Sequence, residues 1–202
     1  VTATCAFWAP HFFGDCEPIP KVDTTFQQKF NLKLYEQYTC KEGEFNTMAT
    51  VLFSTTEESI RGFFHNTGHY SIGYLAVYFV LVFLLAVVTY GIAVPSGLFV
   101  PCILMGCGFG RLTGELVRNW FGTSYNINPG SYAVMGATAS LGGVARMTIS
   151  LTVILLETTQ DVQFITPIML VLMVSKWVGD LFNISLYDLH VELKCMPFVE
   201  SA

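Results

Sequence analysis

The chain has 202 residues, 52% of them hydrophobic and only 12% charged, with a mean hydropathy of +0.52, whereas soluble domains carry about a quarter charged residues. Ten basic against 15 acidic residues leave a formal charge of -5, and no Lys/Arg cluster could neutralise successive phosphates, which excludes nucleic acid as a partner. Residues 1–10 have neither a basic n-region nor an initiator Met, so no cleavable signal is read there and the chain is expected to begin inside a larger protein.

The polar and charged residues crowd before Tyr70 and the apolar runs follow it. Residues 5–45 show no sustained apolar period, and Asp15, Pro18, Pro20, Lys21 and Asp23 mark an extramembrane loop. Cys5, Cys16 and Cys40 flank or sit in that loop. If it faces an oxidising lumen, a Cys16 to Cys40 disulfide would staple it, although sequence alone does not fix connectivity. At 54–58 the order Ser-Thr-Thr-Glu-Glu offers overlapping capping boxes, Ser54 with Glu57 and Thr55 with Glu58, ahead of Ile60, Phe63 and Phe64. A short amphipathic interfacial helix is expected there. Residues 1–70 are thus read as a lumenal or extracellular loop with interfacial helices, and 71–202 as the membrane part.

Across residues 62–110 only His65 and His69 could carry charge, and one bilayer crossing needs about 20 apolar residues, so the stretch has to turn back. Residues 70–94 are long enough to cross, with Tyr70, Tyr74 and Tyr78 expected as an interfacial aromatic anchor. Next, Pro95, Gly97 and Pro101 interrupt the helical pattern inside an apolar run. Unpaired backbone groups in hydrocarbon cost several kcal/mol each, so such a break persists only where protein buries it or a hydrated cavity adjoins it.

A helix over 98–118 is expected to bring Gly106, Gly110 and Gly114 onto one face for close helix contact. Residues 119–131, with Asn126, Asn128, Pro129 and Gly130, read as a loop. Two short apolar helices follow, 132–143 and 146–158, split at Gly142-Gly143; neither is long enough for an upright crossing. Arg146 is expected to snorkel or pair at a helix start. Residues 164–182 form a further helix in which Lys176 and Asp180 stand at i,i+4 spacing and should pair, and an amphipathic segment, 185–194, comes last. Cys102, Cys107 and Cys195 lie in or beside apolar helix patterns and read as buried thiols. The run Gly106-Cys-Gly108-Phe-Gly110 has the look of a dinucleotide loop, but it follows no strand and lies in a membrane run, so cofactor binding is not expected.

In these residues the sequence resembles the CLC family of chloride channels and chloride/proton exchangers. Gly97-Leu-Phe-Val-Pro101 matches the family's Gly-x-Phe-x-Pro motif. Leu141-Gly-Gly-Val-Ala-Arg-Met-Thr-Ile-Ser-Leu-Thr-Val-Ile-Leu-Leu-Glu157 is similar to the helix pair that follows it, and Tyr187 in Leu186-Tyr-Asp-Leu-His190 falls where the family has its central anion-coordinating tyrosine. The resemblance covers residues 44–199 and is strongest to the endosomal, lysosomal and vacuolar branch. It implies an all-α integral membrane fold, the second half of an inverted-repeat domain with broken and tilted helices. It also implies an anion site at Gly97, Leu98, Phe99 and Tyr187, chloride as transported ligand with protons exchanged in some members, no cofactor, and a homodimer.

Taken alone, residues 95–101 also read as a proline-kinked helix packed in protein and Tyr187 as an interfacial aromatic anchor; with the resemblance, their physical chemistry suits an anion site. A helix starting at Leu98 leaves its first N–H groups without intrahelical partners and places partial positive charge at its N-terminus, which stabilises an anion without a full cation. Throughput needs binding weak enough to release. The family's Gly-Ser-Gly-Ile-Pro and Gly-x-Glu-Gly-Pro motifs, its inner proton-transfer glutamate and its cytosolic CBS modules do not occur in these residues. The expected function is therefore that of half an anion pathway, completed by the N-terminal half of the domain. The alternative is a non-conducting truncated product or assembly partner. An enzyme is not expected, since His11, His65, His69 and His190 are dispersed and no metal-ligand spacing occurs. Glu157 reads as a satisfied helix-end carboxylate.

Overall fold

The computed structural model describes residues 2–14, 16–18, 38, 40–41, 44–65, 70–90, 92, 97–121, 128–159 and 162–194. Among them are nine α-helices and one pair of short strands. Gly91, Pro95, His69 and Cys195 lie outside the described residues.

The expected loop at 5–45 opens instead with a helix, α1 (Thr2–Phe13). Its sequence shows no amphipathic period because its buried contact is narrow: Ala9 and Pro10 are buried while Phe7, Trp8 and Phe12 stay exposed. Two three-residue strands, β1 (Cys16–Pro18) and β2 (Glu44–Asn46), pair antiparallel with Cys16 opposite Asn46. Cys16 and Cys40 form a disulfide, their Cα atoms 5.8 Å apart. Asn46 then does two jobs. Its Oδ1 caps α2 (Thr47–Phe53) by accepting from the Met48 and Ala49 amides at 3.1 Å, and its Nδ2 donates to Pro10 O at 3.3 Å.

The amphipathic helix expected after Ser54 is α3 (Thr56–His65). Only one of the two capping boxes forms. Thr55 and Glu58 bond reciprocally, whereas Ser54 turns to Thr50 O and Ser59, and Glu57 pairs with Arg61 at 3.0 Å. The charged side of α3 faces water while Phe63 and Phe64 enter the core.

Helix α4 (Ile72–Tyr90) is apolar all round, but only Leu75 and Tyr78 are buried along it. Of the three tyrosines expected as an aromatic anchor, Tyr74 is half-buried, while Tyr70 and Tyr78 are buried and pack with Phe63 at ring-centroid distances of 6.0 and 5.4 Å. Their rings belong to the core because α3 folds back over the start of α4 and supplies the facing aromatic.

Helix α5 (Phe99–Phe121) and helix α6 (Pro129–Ala145) form the closest crossing in the molecule, as the glycine face predicts. A Cβ on Gly106 would meet Gly136 O at 2.6 Å and Ala137 Cα at 2.7 Å, and one on Gly136 would meet Gly110 Cα at 2.6 Å. These helices touch backbone to backbone, the device membrane helices use where no hydrophobic effect draws them together. Gly106, Gly108 and Gly110 are helix interior, not a nucleotide loop.

Helix α6 runs through Gly142-Gly143 and ends at Arg146, so the expected break there moves to residues 146–148. The two glycines are present for contact with α8: a Cβ on Gly142 would stand 3.0 Å from Leu172 and 3.2 Å from Ser175. Beyond the break come α7 (Ile149–Thr159), a 3-10 turn (Val162–Phe164), α8 (Ile165–Phe182) and α9 (Leu186–Leu193). Among the described residues three segments are long and apolar enough to cross a membrane, Ile72–Tyr90, Phe99–Trp120 and Val162–Phe182. Cys102 and Cys107 are buried free thiols.

Candidate functional site

The N-terminus of α5 is built from the Gly97-Leu-Phe-Val-Pro101 run. Leu98 O accepts from Cys102 N at 3.1 Å, closing the first turn and making Leu98 the residue that opens the helix. The amides of Leu98, Phe99 and Val100 precede the helix's own ladder, and Pro101 brings no N–H to satisfy. Gly97 is exposed, and a Cβ there would meet nothing within 4 Å, so this glycine is not required by packing within the described residues. Leu98 and Phe99 are half-buried against the core. The result is a helix start presenting partial positive charge without any basic side chain on its first turn.

Tyr187 lies in the first turn of α9 and is 46% exposed. Ser185 caps that helix, its Oγ accepting from Asp188 N at 3.2 Å. Arg146 directs the approach to it. Its backbone is left-handed (φ 54°) at the end of α6, and its guanidinium donates to Gly179 O at 2.9 Å and to Asn183 O and pairs with Asp180 at 3.0 Å. Asp180 therefore pairs with Arg146 and not with Lys176. Close approach of α6 to α8 at Gly143 and Gly179 delivers the arginine to the carbonyls at the end of α8, where a cation is favoured.

The residue that joins the two parts is Tyr90, which sequence reasoning missed. It ends α4, its hydroxyl hydrogen-bonds His190 Nε2 on α9, and the two rings meet edge to face at 5.5 Å. Tyr90 thereby ties the end of α4, eight residues before Leu98, to the helix that carries Tyr187. A signal for Tyr90 did exist in the sequence: it is a phenol closing an apolar helix one residue before the glycine of the break, and His190 follows Tyr187 by three, one helical turn away.

Long apolar helices and a glycine-mediated helix crossing are those of an integral membrane protein. Residues 2–180 match the family model described as voltage gated chloride channel. The chain is 42% identical over 200 residues to the H(+)/Cl(-) exchange transporter 7 of Mus musculus, covering 98% of this chain and 24% of that protein. It is 38% identical over 203 residues to chloride channel protein CLC-b of Arabidopsis thaliana, covering 99% of this chain and 25% of the relative. Among solved structures, the crystal structure of a eukaryotic CLC transporter superposes with a TM-score of 0.59 at 38% identity, over 67% of this chain and 24% of that one. The chain belongs to the CLC family of voltage-gated chloride channels and transporters. It spans about a quarter of the length of these relatives.

Proposed function

We propose that the chain supplies one half of a transmembrane chloride pathway, the amides at Leu98 and Phe99 together with the Tyr187 hydroxyl serving as ligands of a central anion site. The observation that carries this reading is the open first turn of α5, with the Tyr187 helix tied through His190 to Tyr90, eight residues before Leu98. Backbone dipole and a neutral hydroxyl hold a halide with release still fast, which a lysine at the same place would not permit. The remaining ligands would come from the first half of the domain. Identity of 42% to a protein named an H(+)/Cl(-) exchange transporter supports coupled chloride/proton exchange, and the sequence's resemblance to the endosomal, lysosomal and vacuolar branch supports a membrane of that kind.

Residues 1–70 would then face the lumen or exterior, where an oxidising environment sustains the Cys16–Cys40 bond. A second copy of the protein would pack against α7 and α8. The resemblance to the family supports this packing, and it would cover outward apolar side chains of these helices, Val153, Met173, Val174 and Trp177 among them, that otherwise face lipid.

The test is Tyr187→Phe in the full-length protein from the same source, with chloride binding read by calorimetry. Loss of one hydrogen bond to a charged partner, about 1.5–3 kcal/mol, weakens chloride by roughly ten- to a hundredfold. Unchanged affinity would remove Tyr187 from the site.

A further inference from the structure

Helix α9 carries a candidate anion ligand. Its eight residues are unburied among the described residues, and the contacts that hold it there are polar tethers. At the entry the tethers are the Ser185 cap and Arg146, which donates to Asn183 O. Both act on the backbone before or at the start of the helix and leave its rotation about its own axis free. The tether on the helix face itself is His190, one turn beyond Tyr187, hydrogen-bonded through Nε2 to the Tyr90 hydroxyl.

Tyr90 is well suited to the task. It ends a helix of 19 residues whose other members are almost all apolar, so the far end of the tether is a long, fixed rod. The edge-to-face packing of the two rings at 5.5 Å, with an interplanar angle of 63°, adds an orientation that one hydrogen bond would not impose. Tyr90 also stands eight residues before Leu98 in the chain, so whatever fixes α9 to Tyr90 ties it to the segment that leads into α5.

We infer that Tyr90 and His190 are positioning residues of the anion site: their contact fixes α9 to the end of α4 and so sets where the Tyr187 hydroxyl points. This rests on the reading of Leu98, Phe99 and Tyr187 as anion ligands. Neither residue of the pair is required to touch the anion. A ligand held within about half an ångström of its place contributes far more than one free to wander, and the pair acts by that route.

The experiment is a double-mutant cycle in the full-length protein, reading chloride affinity by calorimetry, with thermal unfolding followed alongside. The variants are Tyr90→Phe, His190→Phe, His190→Gln, Tyr187→Phe and the Tyr90→Phe/Tyr187→Phe double. Tyr90→Phe and His190→Phe keep the rings and remove the bond, and each should weaken chloride about three- to tenfold. His190→Gln, which keeps an acceptor near Nε2, should recover part of that loss. In the Tyr187→Phe background, Tyr90→Phe should have no further effect, because no hydroxyl remains to be placed. A merely structural pair would lower the unfolding temperature and leave the cycle additive, which overturns the inference. If Tyr187→Phe weakens chloride and neither Tyr90→Phe nor His190→Phe does, the positioning role alone fails. If none of the three changes affinity, the site reading fails with it.

Discussion

Arg111 is by volume the largest of the fully buried side chains among the described residues, and it lies midway along a helix apolar enough to cross a membrane. A guanidinium there is costly unless its protons are used. Its Nη1 donates to Phe63 O at 2.7 Å, one of the carbonyls that the end of α3 leaves over, and its face lies 4.4 Å from the Tyr70 ring centroid. The arginine is therefore the staple that joins the amphipathic helix to the membrane part. Replacing it by methionine keeps much of the volume and leaves the carbonyls unpaired, so Arg111→Met should destabilise the full-length protein by about 1.5–3 kcal/mol. The check is thermal unfolding in detergent, and an unchanged midpoint would show that the staple contributes nothing. The sequence places Arg111 on the helix but gives no sign of its partners, because these are backbone carbonyls 48 and 49 positions away. The same limit explains Tyr70 and Tyr78, which carry the composition of an interfacial belt and are enclosed only through the return of α3.

At the scale of elements, the crossing of α5 and α6 sets where the helix start points. Gly136 is the tightest place for a test, since its Cβ would sit 2.6 Å from Gly110 Cα, a backbone atom that cannot swing aside. Gly136→Val should cost about 1–3 kcal/mol or more by forcing the helices apart. Gly73→Ala, whose Cβ would meet only Ser71 Oγ at 4.0 Å, should be neutral or gain up to about 1 kcal/mol. Equal unfolding midpoints for the two variants would refute the close-contact role. The glycine spacing at 106, 110 and 114 was legible because it repeats every fourth residue, the period of one helix face. The break after α6 was misplaced because Gly142-Gly143 resembles punctuation. Both glycines are spent on contact with α8, and the chain turns instead at Arg146, where the side chain's bonds to Gly179 O, Asn183 O and Asp180 offset a left-handed backbone that costs about 1–2 kcal/mol. Nothing in the local sequence announces a positive φ at an arginine. Tyr90 escaped notice for a related reason, as its partner is 100 residues away.

For the whole molecule the open matter is which side of the membrane carries the polar first third. Charge counting does not decide it, since Arg111 is buried and engaged and few basic residues remain near the ends of the apolar helices. The Cys16–Cys40 disulfide does bear on it. A bond of this kind persists in a lumen or outside the cell and is reduced in the cytosol. It also closes a loop spanning 24 positions beside the β1–β2 pair, and constraining a loop of that length stabilises the folded state by about 3 kcal/mol. Two consequences can be measured together in sealed vesicles from the native membrane. Without reductant, a thiol-reactive probe should find neither cysteine from either side. With a membrane-impermeant reductant, labelling of Cys16 and Cys40 should require access to the lumenal face, and the reduced protein should unfold at lower temperature. Labelling from the cytosolic face would invert the assignment of residues 1–70 and with it the side from which the anion approaches Leu98 and Phe99. Free thiols under oxidising conditions would instead leave the β1–β2 pairing, the Asn46 bond to Pro10 O and the packing of α1 on α2 to hold the segment around Cys16.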